Sequence, residues 1–247
     1  MKTKEIMKSL ARFSLCAAVL LSPVSVRASE TNEWTFDLSI YGLALGMEGE
    51  LGIGPVTAGV DVGLDDVLNN LEFGFMGTVR VGYGPWAITT EGLYMGLEGA
   101  KEGVTAELDQ WMVEPTLSYR VSKYFEPLVG TRFNTLKGEL RGPGVLPEPV
   151  IPSGTQNWWD PIIGANLALP LGKSFSLRLR GDVGGFGVGS DLTWQVYPYF
   201  NWQFARWGSL QLGYRWLYMD YETGSGADRF AYDILNQGAQ LGFTFHF

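Results

Sequence analysis

The chain has little of what metal and catalytic sites are built from. Among 247 residues it holds one cysteine, Cys16, and one histidine, His246. One Cys forms no internal disulfide, and one Cys with one His builds no zinc site, so neither a metal nor a cofactor is expected. Charged residues make up only 18%, below the roughly 25% of ordinary soluble domains. Yet beyond the N-terminus no apolar run approaches the ~20 residues of a membrane helix, which excludes a helical membrane protein. With Lys+Arg 18 against Asp+Glu 26, a net −8, the chain also lacks the basic footprint of a nucleic-acid binder. What it has in abundance is glycine, 33 residues, and aromatics, 14%.

Residues 1–28 read as a secretory signal peptide. Lys2, Lys4, Lys8 and Arg12 form a basic head, residues 13–21 a short apolar core, and Val26-Arg27-Ala28 a small-residue cleavage site before Ser29. Cleavage there would remove Cys16, five basic residues and one acid, taking the net charge from −8 to −12. Export accounts for a domain, 29–247, without cysteine.

That domain alternates in steps of two. Leu192, Trp194, Val196, Pro198, Phe200, Trp202 and Phe204 share one face, against Thr193, Gln195, Tyr197, Tyr199, Asn201 and Gln203 on the other. This is a period-2 strand longer than the five or six residues usual in soluble sheets. Ten such segments are expected, at 34–46, 72–83, 86–98, 110–121, 124–138, 159–170, 173–184, 192–204, 208–220 and 238–247. The connections alternate as well. Those at 84–85, 122–123, 171–172 and 205–207 are short, and those near 47–71, 99–109, 139–158, 185–191 and 221–237 are longer. The pattern predicts an all-β fold: a closed antiparallel transmembrane β-barrel of ten strands, with eight as the alternative. Short turns would be periplasmic and longer loops extracellular. Trp34, Tyr83, Trp86, Trp111, Tyr124, Trp158, Trp159, Trp207 and Tyr221 near segment ends suit the two lipid–water interfaces.

The last residues, Gln240-Leu-Gly-Phe-Thr-Phe-His-Phe247, alternate and end on an aromatic. Together with the blocks 61–76 and 181–195, they make the chain resemble small outer-membrane β-barrel proteins of diderm bacteria. The resemblance implies residence in the outer membrane with lipid as its surroundings. It also implies recognition by the barrel-assembly machinery through Leu241, Phe243, Phe245 and Phe247. It implies no reaction.

Alternation assigns charged side chains to the lumen. The acids are Asp37, Glu72, Glu91, Glu114, Glu126, Asp160 and Asp182, and the bases Arg80, Arg120, Arg132, Arg178, Arg180 and Arg215. Guanidinium suits bidentate pairing with carboxylates, and a ten-stranded barrel is only slightly wider than its side chains fill. A structural or narrow porin-like role without catalysis is therefore expected. The alternative is an outer-membrane hydrolase, protease or lipid-modifying. Barrel enzymes of that kind place their His on the outer side, whereas His246 is penultimate and belongs to the periplasmic end, so no catalytic residue is assigned. Leu64, Val67, Leu68 and Leu71 have helical spacing and predict a short amphipathic helix. Four prolines in 139–158 predict an extended surface loop, and the glycines of 181–190 a strongly curved strand end with a tight outer turn.

Overall fold

The strands begin at the short turns. Gly84-Pro85 supplies φ +58° at Gly84 and a proline that donates nothing, so the chain reverses in two residues between Tyr83 and Trp86. A computed structural model describes residues 33–63, 71–101, 104–141 and 154–247. The proposed signal peptide and the helical spacing at 64–70 lie outside the described residues, as do 142–153 of the proline-rich loop.

Eleven strands occur among the described residues: β1 Trp34–Ile53, β2 Val56–Val62, β3 Leu71–Tyr83, β4 Trp86–Lys101, β5 Val104–Tyr119, β6 Phe125–Arg141, β7 Gly154–Pro170, β8 Phe175–Gly185, β9 Leu192–Ala205, β10 Gly208–Thr223 and β11 Phe230–His246. All pairings are antiparallel and join chain neighbours, except that β3 pairs with β1, and β11 returns to β1 from Asp37↔His246 to Ile53↔Phe230. The ring therefore closes on ten strands. Closure matters because an open edge in hydrocarbon leaves backbone groups unsatisfied at several kcal/mol each. The remaining strand, β2, pairs with the outer part of β1 (Met47↔Val62 to Ile53↔Val56), while β3 pairs with the inner part (Trp34↔Tyr83 to Ile40↔Gly77).

The outer surface carries an apolar band with two aromatic girdles. Trp86 and Tyr94, Trp111 and Tyr119, Phe125 and Phe133, and Trp194 and Trp202 are outward residues, each pair eight positions apart on one strand. At about 3.3 Å per residue that is about 26 Å along the strand, or about 20 Å of height at a tilt of about 40°, most of the ~25 Å apolar band of an outer-membrane barrel. Cross-strand rings pair within each girdle: Trp34–Tyr83 at 4.9 Å, Trp86–Tyr119 at 4.7 Å, Tyr94–Trp111 at 4.6 Å and Phe133–Trp159 at 4.9 Å. Two of the aromatics expected at the interface are elsewhere. Trp158 and Tyr221 point inward and stack on each other, centroids 4.3 Å apart and nearly parallel.

The strands run further on the outer side than their alternation suggests. β1 reaches Ile53 instead of 46, β4 reaches Lys101 instead of 98, β5 begins at Val104 instead of 110, and β11 begins at Phe230 instead of 238. Connections at 47–71, 99–109 and 221–237 are thus largely strand. The cause is the loss of contrast between faces. Toward the outer end, Leu93, Met95, Leu217, Met219 and Ile234 point inward while Asp233 and Glu222 point outward. Backbone pairing continues where the polar-in pattern stops.

Candidate functional site

The barrel interior is stratified along its axis, and β4 and β10 show the order most completely. On β4 the inward residues run Ala87, Thr89, Glu91, Leu93, Met95, and on β10 Ser209, Gln211, Gly213, Arg215, Leu217, Met219, Tyr221. A polar layer lies nearest the short turns, a charged layer at mid-height, and an apolar layer toward the outside.

In the charged layer Glu91, Glu114 and Asp182 meet Arg132, Arg180 and Arg215, three charges of each sign. Arg132 is fully buried and uses its whole fork. Nε donates to Glu114 Oε2 at 2.7 Å, Nη1 to Thr193 Oγ1 at 2.7 Å and Nη2 to Asp182 Oδ1 at 2.8 Å. Arg180 donates to Glu114, to Asp182 Oδ2 at 3.3 Å, and lies 3.6 Å from Glu91. Arg215 and the Tyr41 hydroxyl both donate to Glu91 Oε1. Glu91–Arg215 joins β4 to β10, and Arg180–Glu114 joins β8 to β5, so these bonds cross the lumen and do not run between neighbouring strands. Charges this deep are held only because each is paired and hydrogen-bonded.

Above them Met47, Met76, Met95, Met112 and Met219 pack with Leu93, Leu136, Leu217, Ile234 and the Trp158–Tyr221 stack. Every methionine beyond residue 28 is in this layer. Unbranched thioether chains fill irregular gaps, which suits the centre of a ring of strands. Among the described residues, the lumen is filled from the charged layer outward.

Below the charged layer lies a cavity of about 570 Å³ facing the short-turn end. The other charges expected in the lumen fall here or stand apart. Arg80 forks onto Glu126 with bonds of 3.0 and 2.9 Å, and Asn166 adds a third at 3.3 Å. Arg120 and Arg178 line the cavity, and among the described residues neither has an ion-pair partner. Among the described residues Asp160 has no cation partner. It is fully buried and accepts from Ser190 N–H at 2.6 Å, Ser190 Oγ at 2.9 Å, Trp158 Nε1 at 3.1 Å and Asn134 Nδ2 at 3.4 Å. The Glu72 side chain lies outside the described residues. The charged side chains assigned to the lumen thus divide into a six-charge network, one separate pair, and several individually placed groups.

Asp37 pairs with His246, whose Nδ1 is 2.7 Å from Asp37 Oδ1 and whose Nε2 is 3.0 Å from Ser209 Oγ. The register sets this chain, since Asp37 and His246 are direct partners across the β1–β11 seam. It has the order of a Ser–His–Asp relay, but Ser209 is 0% exposed, and a nucleophile needs a line of approach to its substrate. No sequence signal singled out Ser209, Tyr41 or Gln240. Alternation placed Gln195 and Tyr197 on the inward face without giving them a role.

By sequence, no family model and no curated protein matches the chain. Solved structures that resemble it include the outer membrane protease OmpT from Escherichia coli, with a TM-score of 0.52 at 10% identity, covering 88% of this chain and 98% of that one. The translocator domain of autotransporter NalP from Neisseria meningitidis gives 0.45 at 11%, covering 100% and 98%. Ail, the attachment invasion locus protein of Yersinia pestis, gives 0.38 at 8%, covering 87% and 98%. At such identities the likeness to OmpT is one of fold. Closed ring, aromatic girdles and filled lumen together make the chain an outer-membrane β-barrel.

Proposed function

We propose that the chain is a non-catalytic, structural outer-membrane barrel whose lumen does not conduct at rest. The cross-lumen network of Arg132, Arg180 and Arg215, roofed by the methionine layer, carries this reading. Purified protein in planar bilayers is expected to show no stable channel steps in molar potassium chloride. Long-lived unitary conductance would replace the structural reading with a porin-like one.

One observation favours a hydrolase, the Ser209–His246–Asp37 chain. A fluorophosphonate probe discriminates, because it labels only an activated and reachable serine. No labelling is expected. Adduct formation at Ser209, lost in Ser209→Ala, would establish a periplasm-facing esterase centre instead.

Leu241, Phe243, Phe245 and Phe247 all face outward, and Phe247 exchanges backbone hydrogen bonds with Phe36 at 2.9 and 3.3 Å. Those two bonds and one ring contribute roughly 2–4 kcal/mol, which a closed ring survives. As an address read by the assembly machinery, the same residue would matter far more. Deleting Phe247 is expected to reduce the outer-membrane level in cells several-fold while leaving the yield of refolding in detergent nearly unchanged. Equal losses in both assays would reduce its role to stability.

A further inference from the structure

The cavity at the short-turn end has more positive charge and more free donors than its own walls use. Six bases line it, Arg80, Arg120, Lys123, Arg178, Arg180 and Arg215, against the three acids Asp37, Glu91 and Glu126, with Arg180 also offset by Glu114 and Asp182 behind the wall. Each of the three lining acids is engaged, with His246, with Arg215 and Arg180, and with Arg80 respectively. Among the described residues Arg120, Lys123 and Arg178 have no carboxylate partner; Arg178 donates only to Ser176 Oγ at 3.3 Å. In a chain of net charge −8, this wall is the reverse of the average surface.

Three buried groups in the same wall have no hydrogen bond among the described residues: Tyr197 Oη, Arg215 Nε and Gln240 Oε1, in residues 4%, 2% and 2% exposed. Buried polar atoms are rarely left without a partner, since each costs about 1–3 kcal/mol. The ladders place them close together. Arg178 is opposite Tyr199 and Arg180 opposite Tyr197 across β8–β9, while Gly213 of β10 is opposite both Tyr199 and Gln240. Gly213 is required there, because a Cβ would stand 2.5 Å from Tyr199 Cβ and 2.8 Å from the Tyr197 ring. Tyr197 and Tyr199 stack at 4.6 Å and the Arg215 guanidinium lies 5.2 Å over the Tyr197 ring, so the donors are held in fixed places.

We propose that this vestibule binds a small solute bearing a carboxylate or phosphate, entering from the short-turn end. Arg178 supplies the uncompensated charge, and Arg215 Nε and Tyr197 Oη donate to the oxyanion. Gln240 Oε1 accepts from a hydroxyl of the same solute. The volume, about 570 Å³, is that of a small-molecule site.

Calorimetric titration of the refolded full chain in zwitterionic detergent at low ionic strength tests it, with inorganic phosphate and citrate as probes and glucose as the neutral control. Saturable one-site binding of at least one anion is expected, with none for glucose. Arg178→Gln should weaken it tenfold or more, because no ion pair offsets that charge. Tyr197→Phe should weaken it several-fold without lowering Tm, because the hydroxyl it removes serves no bond in the fold. Arg206→Gln, a charge in the β9–β10 turn outside the cavity, should leave it unchanged. Absence of saturable binding for both anions overturns the proposal. So does binding that resists Arg178→Gln and Tyr197→Phe, or falls equally with Arg206→Gln. A conducting barrel would fail the bilayer test above and leave these outcomes as they stand.

Discussion

Replacing Arg132 with methionine is expected to destabilise the refolded barrel by about 3–5 kcal/mol, the cost of removing one partner from a buried charge network. The side chain is 0% exposed and serves three acceptors, Glu114, Asp182 and Thr193, with one planar group. Methionine approximates its volume, so the loss reports charge and hydrogen bonding more than a cavity. What remains is two carboxylates at the floor of the methionine layer sharing the fork of Arg180 alone. Arg132→Lys should fall between wild type and Arg132→Met, since one ammonium cannot reproduce three bonds in fixed directions. Adding Glu114→Gln to Arg132→Met should recover more than half of the loss, because the excess negative charge is then gone. Urea unfolding in lipid vesicles, followed by tryptophan fluorescence, measures all three. A loss below about 1 kcal/mol for Arg132→Met would mean that water screens this layer, as it screens surface pairs.

Asp160→Ala is expected to cost about 3 kcal/mol and to release the turn between β8 and β9. Four donors converge on this carboxylate, and truncation leaves them without an acceptor in a buried place. Two of the four belong to Ser190, which the carboxylate ties to β7. The turn itself is tight, with positive φ at Gly185, Phe186 and Gly187, and it presents Phe186 and Val188 to the outside. Phe186 is the one described non-glycine residue with positive φ, a conformation that persists only where the surroundings hold it. Chymotrypsin added outside reconstituted vesicles should therefore cut after Phe186 in Asp160→Ala and spare the wild type. A resistant variant would show that the Gly187 N–H to Ser190 carbonyl bond, with Asp191 N–H to the Asp220 carbonyl, suffices to hold the turn. Asp160→Asn keeps the shape but turns part of the acceptor into a donor, so it should lie between the two.

Period-2 alternation by itself determined the fold, because in lipid every inward–outward step costs or gains free energy at each residue. The segments 192–204 and 208–220 show this best, since their polar and apolar faces are sharply distinct and their positions match β9 and β10 to within a few residues. The glycines of 181–190, for their part, placed the end of β8 at a tight outer turn. It stopped short at β1 and β11, where the inward face becomes Met47 and Ile234 and the contrast that marks a strand disappears. Sequence gave each charged side chain a face but no height and no partner. Arg132 and Arg120 share the same inward parity, yet one is locked among carboxylates and the other lines an open cavity. Partnership across a barrel depends on tilt and stagger, which bring together residues as distant in sequence as Glu91 and Arg215. The polar vestibule, the charged layer and the methionine roof, and with them the site proposed for an oxyanion, therefore exist only in the closed ring.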